Sequence, residues 1–295
     1  MSVLVVGGAL MDILGHARGP LELRTSNPAR FATTPGGVGR NIAENLARLG
    51  TPVTLLSVIG PDAHGEAILT GAQEAGIDTR WVLTAPEPTG TYLAVLDVDG
   101  ELHLALSDLS ATEALTVERI RAVAPDVEAA EALVIDANLP VPVITWLLDV
   151  AAEASTPVVL EPVSVVKAER LAPVLTPRRP VWLLTPNADE LAALGGSVAD
   201  LHRAGVANVW VRSGPDGSCW YAEGAPPVAV PSIPTQVVDV TGGGDAATAG
   251  VVHAHVAGLD DLAAAAYGQR CGALTVASPR TVRPDLATAL LADQT

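Results

Sequence analysis

Val181-Trp182-Leu183-Leu184-Thr185-Pro186-Asn187-Ala188-Asp189-Glu190 passes from a short apolar run, through a turn, into a helical pattern, and its reading decides the fold. The apolar run reads as a buried strand and residues 188–194 as the helix that follows it. The same junction recurs on either side. Strands are expected at residues 3–6, 53–58, 132–136, 158–160, 181–184 and 209–212. Helical spacing lies between them at 40–49, 64–75, 117–123, 141–154 and 198–203, and again at 243–256 and 262–276. Such alternation predicts an α/β fold: a doubly wound, mainly parallel sheet with helices on both faces. No repeat, charge block or linker divides the chain, so a single domain over residues 1–295 is expected.

One stretch departs from the alternation. Thr89-Gly90-Thr91-Tyr92-Leu93-Ala94-Val95-Leu96-Asp97 and Glu101-Leu102-His103-Leu104-Ala105-Leu106 flank Val98-Asp99-Gly100, and Asp-Gly between alternating strands signals a hairpin. A hairpin inserted among helices suggests a small β flap, either a lid or a dimer surface; an ornamental edge hairpin is the alternative.

The chain carries 17 Lys and Arg against 33 Asp and Glu, a net charge of −16. A surface so acidic repels polyanions, which argues against nucleic-acid and anionic-membrane partners. Small anions remain open to it, because local backbone groups hold them whatever the global charge. With 49% hydrophobic and 17% charged residues, the chain can build a large core and is not disordered. Cys219 and Cys271 are too few for a disulfide framework and read as buried small hydrophobes. Ser2-Val3-Leu4-Val5-Val6-Gly7-Gly8 lacks a basic leader and a cleavage pattern, so it reads as a first strand. With no apolar run of membrane-spanning length, a cytoplasmic protein is expected.

The strongest chemical signal is Asp239-Val240-Thr241-Gly242-Gly243-Gly244-Asp245 ahead of a helix. Three glycines leave backbone N–H groups uncovered at the helix start, where aligned dipoles and unpaired donors bind an anion. Asp245 falls in the first turn, where the dipole is expected to lower its pKa. In a loose phosphoryl-transfer transition state the hydroxyl proton leaves late, so position outweighs basicity in such a base. A glycine turn with a helix-favouring Asp is the plainer alternative.

Pro35-Gly36-Gly37-Val38-Gly39-Arg40-Asn41 also leads glycines into a helix, and Asn41 offers donors and acceptors suited to a polyol. It lacks the full spacing of a dinucleotide fingerprint. Asp12, just beyond the first strand, can accept from two vicinal sugar hydroxyls; a solvated loop Asp is the alternative. Asn187 and Glu190 stand three apart, so one helical turn presents both. They fit either a water-held magnesium site or a capping box. Val209-Trp210-Val211-Arg212-Ser213-Gly214-Pro215-Asp216-Gly217 is a strand ending in a glycine turn, which fits a nucleotide platform or an ordinary hairpin.

Other routes to chemistry are closed. Lys167 is the single lysine and follows Val166, so there is no Walker A motif, and no His-Arg-Asp loop occurs. The six histidines show no metal-ligand spacing, and no Gly-x-Ser-x-Gly elbow is present.

Together, Gly36-Gly37-Val38-Gly39-Arg40-Asn41, Asn187-Ala188-Asp189-Glu190 and Asp239–Asp245 resemble, in order and spacing, the signatures of the ribokinase-like (PfkB) carbohydrate kinases. Within that family the chain is most similar to the pseudouridine kinases. The pieces that say so are the 36–50 segment, the lid-like 91–107 segment, Asp136-Ala137-Asn138-Leu139-Pro140 and Glu161-Pro162-Val163-Ser164-Val165-Val166-Lys167. The resemblance implies ATP-dependent phosphorylation of a sugar hydroxymethyl, the 5′-OH of a nucleoside such as pseudouridine. Other acceptors in the family include ribose, fructose and purine nucleosides, and a non-catalytic nucleoside sensor is the rival of another class.

By the same resemblance Asp245 matches the catalytic base and Gly242, Gly243 and Gly244 the anion hole. Asp12, Gly36, Gly37, Asn41 and Asn138 match acceptor positions. Asn187 and Glu190 match phosphate and magnesium residues, while Arg212, Ser213, Gly214 and Gly217 fall on the nucleotide turn. Asp239 and Thr241 match positions that hold a monovalent cation, K+. A β lid from strands inserted at about 13–34 and 88–107 is implied, with a homodimer through it. Two departures stand out: Gly243 replaces the usual alanine, and Arg212-Ser213-Gly214 replaces Thr-Leu-Gly, which lets Arg212 itself meet a phosphate.

Overall fold

Val3–Val6 shows how the sequence divides the molecule. Val3 and Val5 point into one apolar core with Ile42, Ala43 and Leu46 of the helix Val38–Arg48. Leu4 and Val6 point into another with Val143, Ile144, Leu147 and Leu148 of the helix Val141–Ala154. A strand with two buried faces reads as a continuous apolar run, which is how this segment was legible. The computed structural model describes residues 2–292 of the 295-residue chain.

The strands are β1 (Val3–Val6), β2 (Leu10–Ala17), β3 (Ala29–Gly36), β4 (Val53–Ile59), β5 (Asp78–Thr84), β6 (Thr91–Leu96), β7 (Leu102–Asp108), β8 (Ala132–Asp136), β9 (Val158–Glu161), β10 (Val181–Leu184), β11 (Val206–Arg212), β12 (Ser218–Ala222) and β13 (Val228–Val230). Nine form one sheet in the order β13-β12-β11-β10-β9-β8-β1-β4-β5. From β5 to β11 neighbouring strands run parallel; β12 and β13 join antiparallel at the edge. The chain leaves β1 toward β4 and later returns to β8 on the opposite side. The carboxyl ends of β1 and β8 therefore flank a topological switch point, where open α/β sheets place ligands.

The second sheet has the order β3-β2-β6-β7. Its register sets Thr34, Asp12, Tyr92 and Ser107 in one row across the sheet. Three residues further along, Phe31, Gly15, Val95 and Leu104 form a row that faces the other way, because successive residues alternate. Phe31 is 70% exposed and Leu104 51% exposed, so this outer face is apolar and open. Among the described residues, no helix is long and apolar enough to cross a membrane. Both cysteines are free; Cys271 is buried as expected, while Cys219 is only half-buried on β12, next to the edge strand β13.

Candidate active site

Asp136, at the carboxyl end of β8, is fully buried and joins three backbones. Its Oδ2 accepts from the N–H of Gly8 at 2.8 Å and of Gly39 at 2.7 Å, and its Oδ1 from the N–H of Asn138 at 2.9 Å. The end of β1 and the start of the helix Val38–Arg48 are thereby pinned at the switch point. Glycine is required here on contact grounds: a Cβ on Gly37, at φ 95°, would lie 2.4 Å from the Gly8 carbonyl oxygen.

That helix presents Asn41 to the second glycine-started helix, Gly243–Val256. Asn41 Nδ2 donates to Asp245 Oδ2 at 2.8 Å, so the first and last sequence motifs meet across 204 positions. At the helix start the Gly243 N–H turns back on the Val240 carbonyl at 3.3 Å. The hydrogen bonds among the described residues leave the N–H groups of Gly244 and Asp245 as open donors facing the helix entrance.

The expected low pKa of Asp245 is corrected. Burial, reinforced by the nearby Glu161 and Asp136 carboxylates, pushes it up to about 7; the Asn41 hydrogen bond and Arg212 pull the other way. Removal from water outweighs a half-charge of helix dipole when protein walls surround the group. Asp245 as a residue is half-buried.

Asp12 lies within β2, not in a loop as the plainer alternative had it. Its carboxylate packs on Gly36, where a Cβ would stand 2.1 Å from Oδ2. Burial lifts Asp12 to about 6 against the opposing charge of Arg40. Arg40 is itself buried, and its Nη1 donates to Asn41 Oδ1 and to the Pro35 carbonyl, both at 3.0 Å. An arginine can only donate, so this contact leaves the amide nitrogen of Asn41 to face Asp245. Glu44, one turn on, pairs with Arg40 and completes a chain of charges along that helix.

Asn187 and Glu190 form a capping box: Asn187 Oδ1 accepts from Glu190 N–H at 2.8 Å, and Glu190 Oε2 from Asn187 N–H at 2.9 Å. Glu190 is buried, and desolvation with the neighbouring Glu161 raises its pKa. One carboxylate suits a magnesium ion that keeps most of its water, rather than a dedicated protein cage. The described residues hold no cluster of three or more acidic, His or Cys side chains suited to a metal. Asp239 and Thr241 sit in an exposed turn, joined by a 2.8 Å bond from Thr241 N–H to Asp239 Oδ1.

Ser213 and Gly214 are exposed in the turn between β11 and β12, while Gly217 is buried at its end; the turn is closed by Ser213 N–H to the Gly217 carbonyl at 2.8 Å. Arg212 does not share that exposure. Its guanidinium turns inward to Glu161 and the start of the helix Gly243–Val256.

Asn138 lies at the far side of the site, where its Oδ1 accepts from Lys167 Nζ. A cleft of about 360 Å3 is lined there by Ser107 of the small sheet together with Asn138, Ser164, Lys167 and Arg170. Burial lowers the Lys167 pKa. Sequence reading gave no role to Asp136, Glu161 or Arg40. The signal for the first two was a carboxylate closing a run of buried apolar residues.

Residues 1–288 match the pfkB family carbohydrate kinase. Pseudouridine kinase of Escherichia coli (strain K12) is 33% identical, the alignment covering 97% of this chain and 94% of that protein. Among solved structures, a carbohydrate kinase from Agrobacterium tumefaciens aligns with a TM-score of 0.85 at 31% identity, covering 99% of this chain and 97% of that one. Arabidopsis thaliana ribokinase complexed with ribose and ATP aligns with a TM-score of 0.82 at 25% identity, covering 98% of both chains. A match that runs almost end to end, over the doubly wound fold that the strand order displays, shows that the chain belongs to the pfkB family of carbohydrate kinases, phosphotransferases with a hydroxyl acceptor.

Proposed function

We propose that this kinase transfers the γ-phosphoryl group of ATP to the 5′-hydroxyl of a nucleoside, pseudouridine. The contact between Asn41 and Asp245 carries the reading, because it joins an acceptor-side motif to a base beside an anion-binding helix start. The 33% identity to a pseudouridine kinase supports the choice of acceptor.

In this reading Asp12 and Asn41 hold sugar hydroxyls, and the cleft at Asn138 and Lys167, where Leu109 and Val166 add apolar surface, receives the base. The hydroxyl oxygen bonds to the γ-phosphorus, the bond to the bridging oxygen of ADP breaks, and the proton passes to Asp245. A base near pKa 7 matches neutral conditions. The open amides at the helix start stabilise charge on the transferred group. Magnesium, held through water at Glu190, neutralises phosphate charge when bound; Asp239 and Thr241 offer oxygens to K+. The turn at Ser213, Gly214 and Gly217 borders the nucleotide, and the small sheet excludes water by closing over the acceptor.

An assay of ADP release over pseudouridine, uridine, inosine, ribose and fructose tests the acceptor. Selective turnover of pseudouridine is expected; turnover of free sugars alone overturns the nucleoside assignment, and no turnover at all favours a sensor.

The apolar outer row of the small sheet supports a homodimer through that sheet. Wild type should sediment as a dimer, and Phe31→Asp with Leu104→Asp as a monomer. A monomeric wild type would remove the dimer from the proposal.

A further inference from the structure

Arg212 ends β11 at the nucleotide turn, yet its guanidinium is engaged entirely within the protein. Nη1 donates to the Gly244 carbonyl at 3.0 Å and to Thr248 Oγ1 at 3.3 Å. Nη2 donates to Glu161 Oε1 at 2.8 Å and to the Thr185 carbonyl. Glu161 is buried, and its other oxygen accepts from Thr185 Oγ1 at 2.7 Å and Thr248 Oγ1 at 3.0 Å. The ends of β9, β10 and β11 are thus tied to the first turn of the helix Gly243–Val256.

We propose that the Glu161–Arg212 pair is a positioning clamp that aims the open Asp245 amide at the transferred phosphoryl group, so that phosphoryl transfer depends on it. The clamp rests on the kinase reading above only in naming the anion.

The reason is the geometry of one peptide plane. The Gly244 carbonyl and the Asp245 N–H belong to a single rigid unit and point in opposite directions. Holding the carbonyl therefore fixes where the N–H points. Gly242, Gly243 and Gly244 have no side chains to hold their own turn and the widest backbone freedom of any residues. The Ala246 N–H to the Gly242 carbonyl at 2.9 Å holds part of that turn, and Arg212 adds an anchor from outside it. The arginine needs glycine in return, because a Cβ on Gly244 would stand 3.0 Å from Nη1. A planar fork can bridge a carbonyl on one side and a carboxylate on the other, which an ammonium cannot. The charges reach the base as well. Asp245 faces Asn41 from the helix Val38–Arg48, Asp136 from β8, Glu161 from β9 and Arg212 from β11. Of these, the two carboxylates raise its pKa, while Arg212 and the Asn41 hydrogen bond lower it.

Three variants of the full chain, Arg212→Gln, Arg212→Lys and Glu161→Gln, test the clamp with MgATP and pseudouridine. Arg212→Gln should lose about 10²-fold in kcat, the scale of losing one oxyanion donor, with the KM for acceptor unchanged. The acid limb of its pH profile should move to higher pH, and that of Glu161→Gln to lower pH. Arg212→Lys keeps the charge without the fork, so its kcat should fall while the limb stays. Carbon-13 NMR of labelled Asp carboxyls, with Asp245 assigned through Asp245→Asn, reads the same opposite displacements without turnover. A folded Arg212→Gln with wild-type kcat overturns the clamp, as do displacements in the same direction. If wild type leaves pseudouridine untouched, the acceptor assignment fails while the NMR displacements still decide the clamp.

Discussion

Asp245→Asn should lower kcat by about 10²- to 10⁴-fold while the fold and the binding of both substrates persist. The amide keeps the shape of the carboxylate, and its oxygen can still accept from Asn41, so nothing around it is left unpaired. It loses only the capacity to take the proton. Wild-type kcat/KM should rise with pH through a midpoint near 7, because burial holds the carboxylate protonated below that point. The stability effect has the opposite sign. A carboxyl whose folded pKa lies above its unfolded value of 3.8 leaves stability intact below that pH and withdraws it as pH rises toward 7. The variant should therefore melt higher than wild type above neutrality and converge with it near pH 4. A variant that turns over like wild type takes Asp245 out of the chemistry.

Asp136→Ala should be the most destabilising single change in the site, by about 3–5 kcal/mol in urea unfolding, because it removes the one partner of three buried amides. The N–H groups of Gly8, Gly39 and Asn138 would lose their acceptor together. Each belongs to a different segment, so their release loosens the end of β1, the start of the helix Val38–Arg48 and the turn that carries Asn138. A loss below about 1 kcal/mol would mean that water substitutes for the carboxylate, which such a closed site disfavours.

Much of this architecture was legible because burial on both faces leaves a plain mark. The expected strands at 3–6, 132–136 and 181–184 and the helices at 141–154, 198–203 and 243–256 have the bounds found in the structure. Asp78–Thr84 was missed: as β5 it is an edge strand, half-buried, with Asp, Thr and Arg where alternation would need apolar residues. Val165–Leu171 was missed as a helix because two turns give too short a period to read. Asp12 was placed beyond a strand instead of inside β2, since Gly15 and His16 obscure the alternation of Leu10–Ala17. The glycine motifs announced an anion and a base, but the state of that base was hidden. Its pKa is set first by burial and then by Asn41, Glu161, Arg212 and Asp136, which reach it from other elements and carry no local trace in its own motif. The Asn187–Glu190 spacing was legible as two things at once, and the capping box is one of them.

The small sheet puts Asp12 and Ser107 on one face, with Ser107 lining the cleft, and Phe31 and Leu104 on the other face, three residues further along. Because one layer only a strand thick separates the two faces, anything that straightens or orders the sheet from outside also sets the spacing of the polar row inside. In the proposed dimer, occupancy by substrate and association with a second copy become linked equilibria, and each must change the other's affinity by the same factor. Dilution would then weaken acceptor binding, and acceptor would hold the pair together.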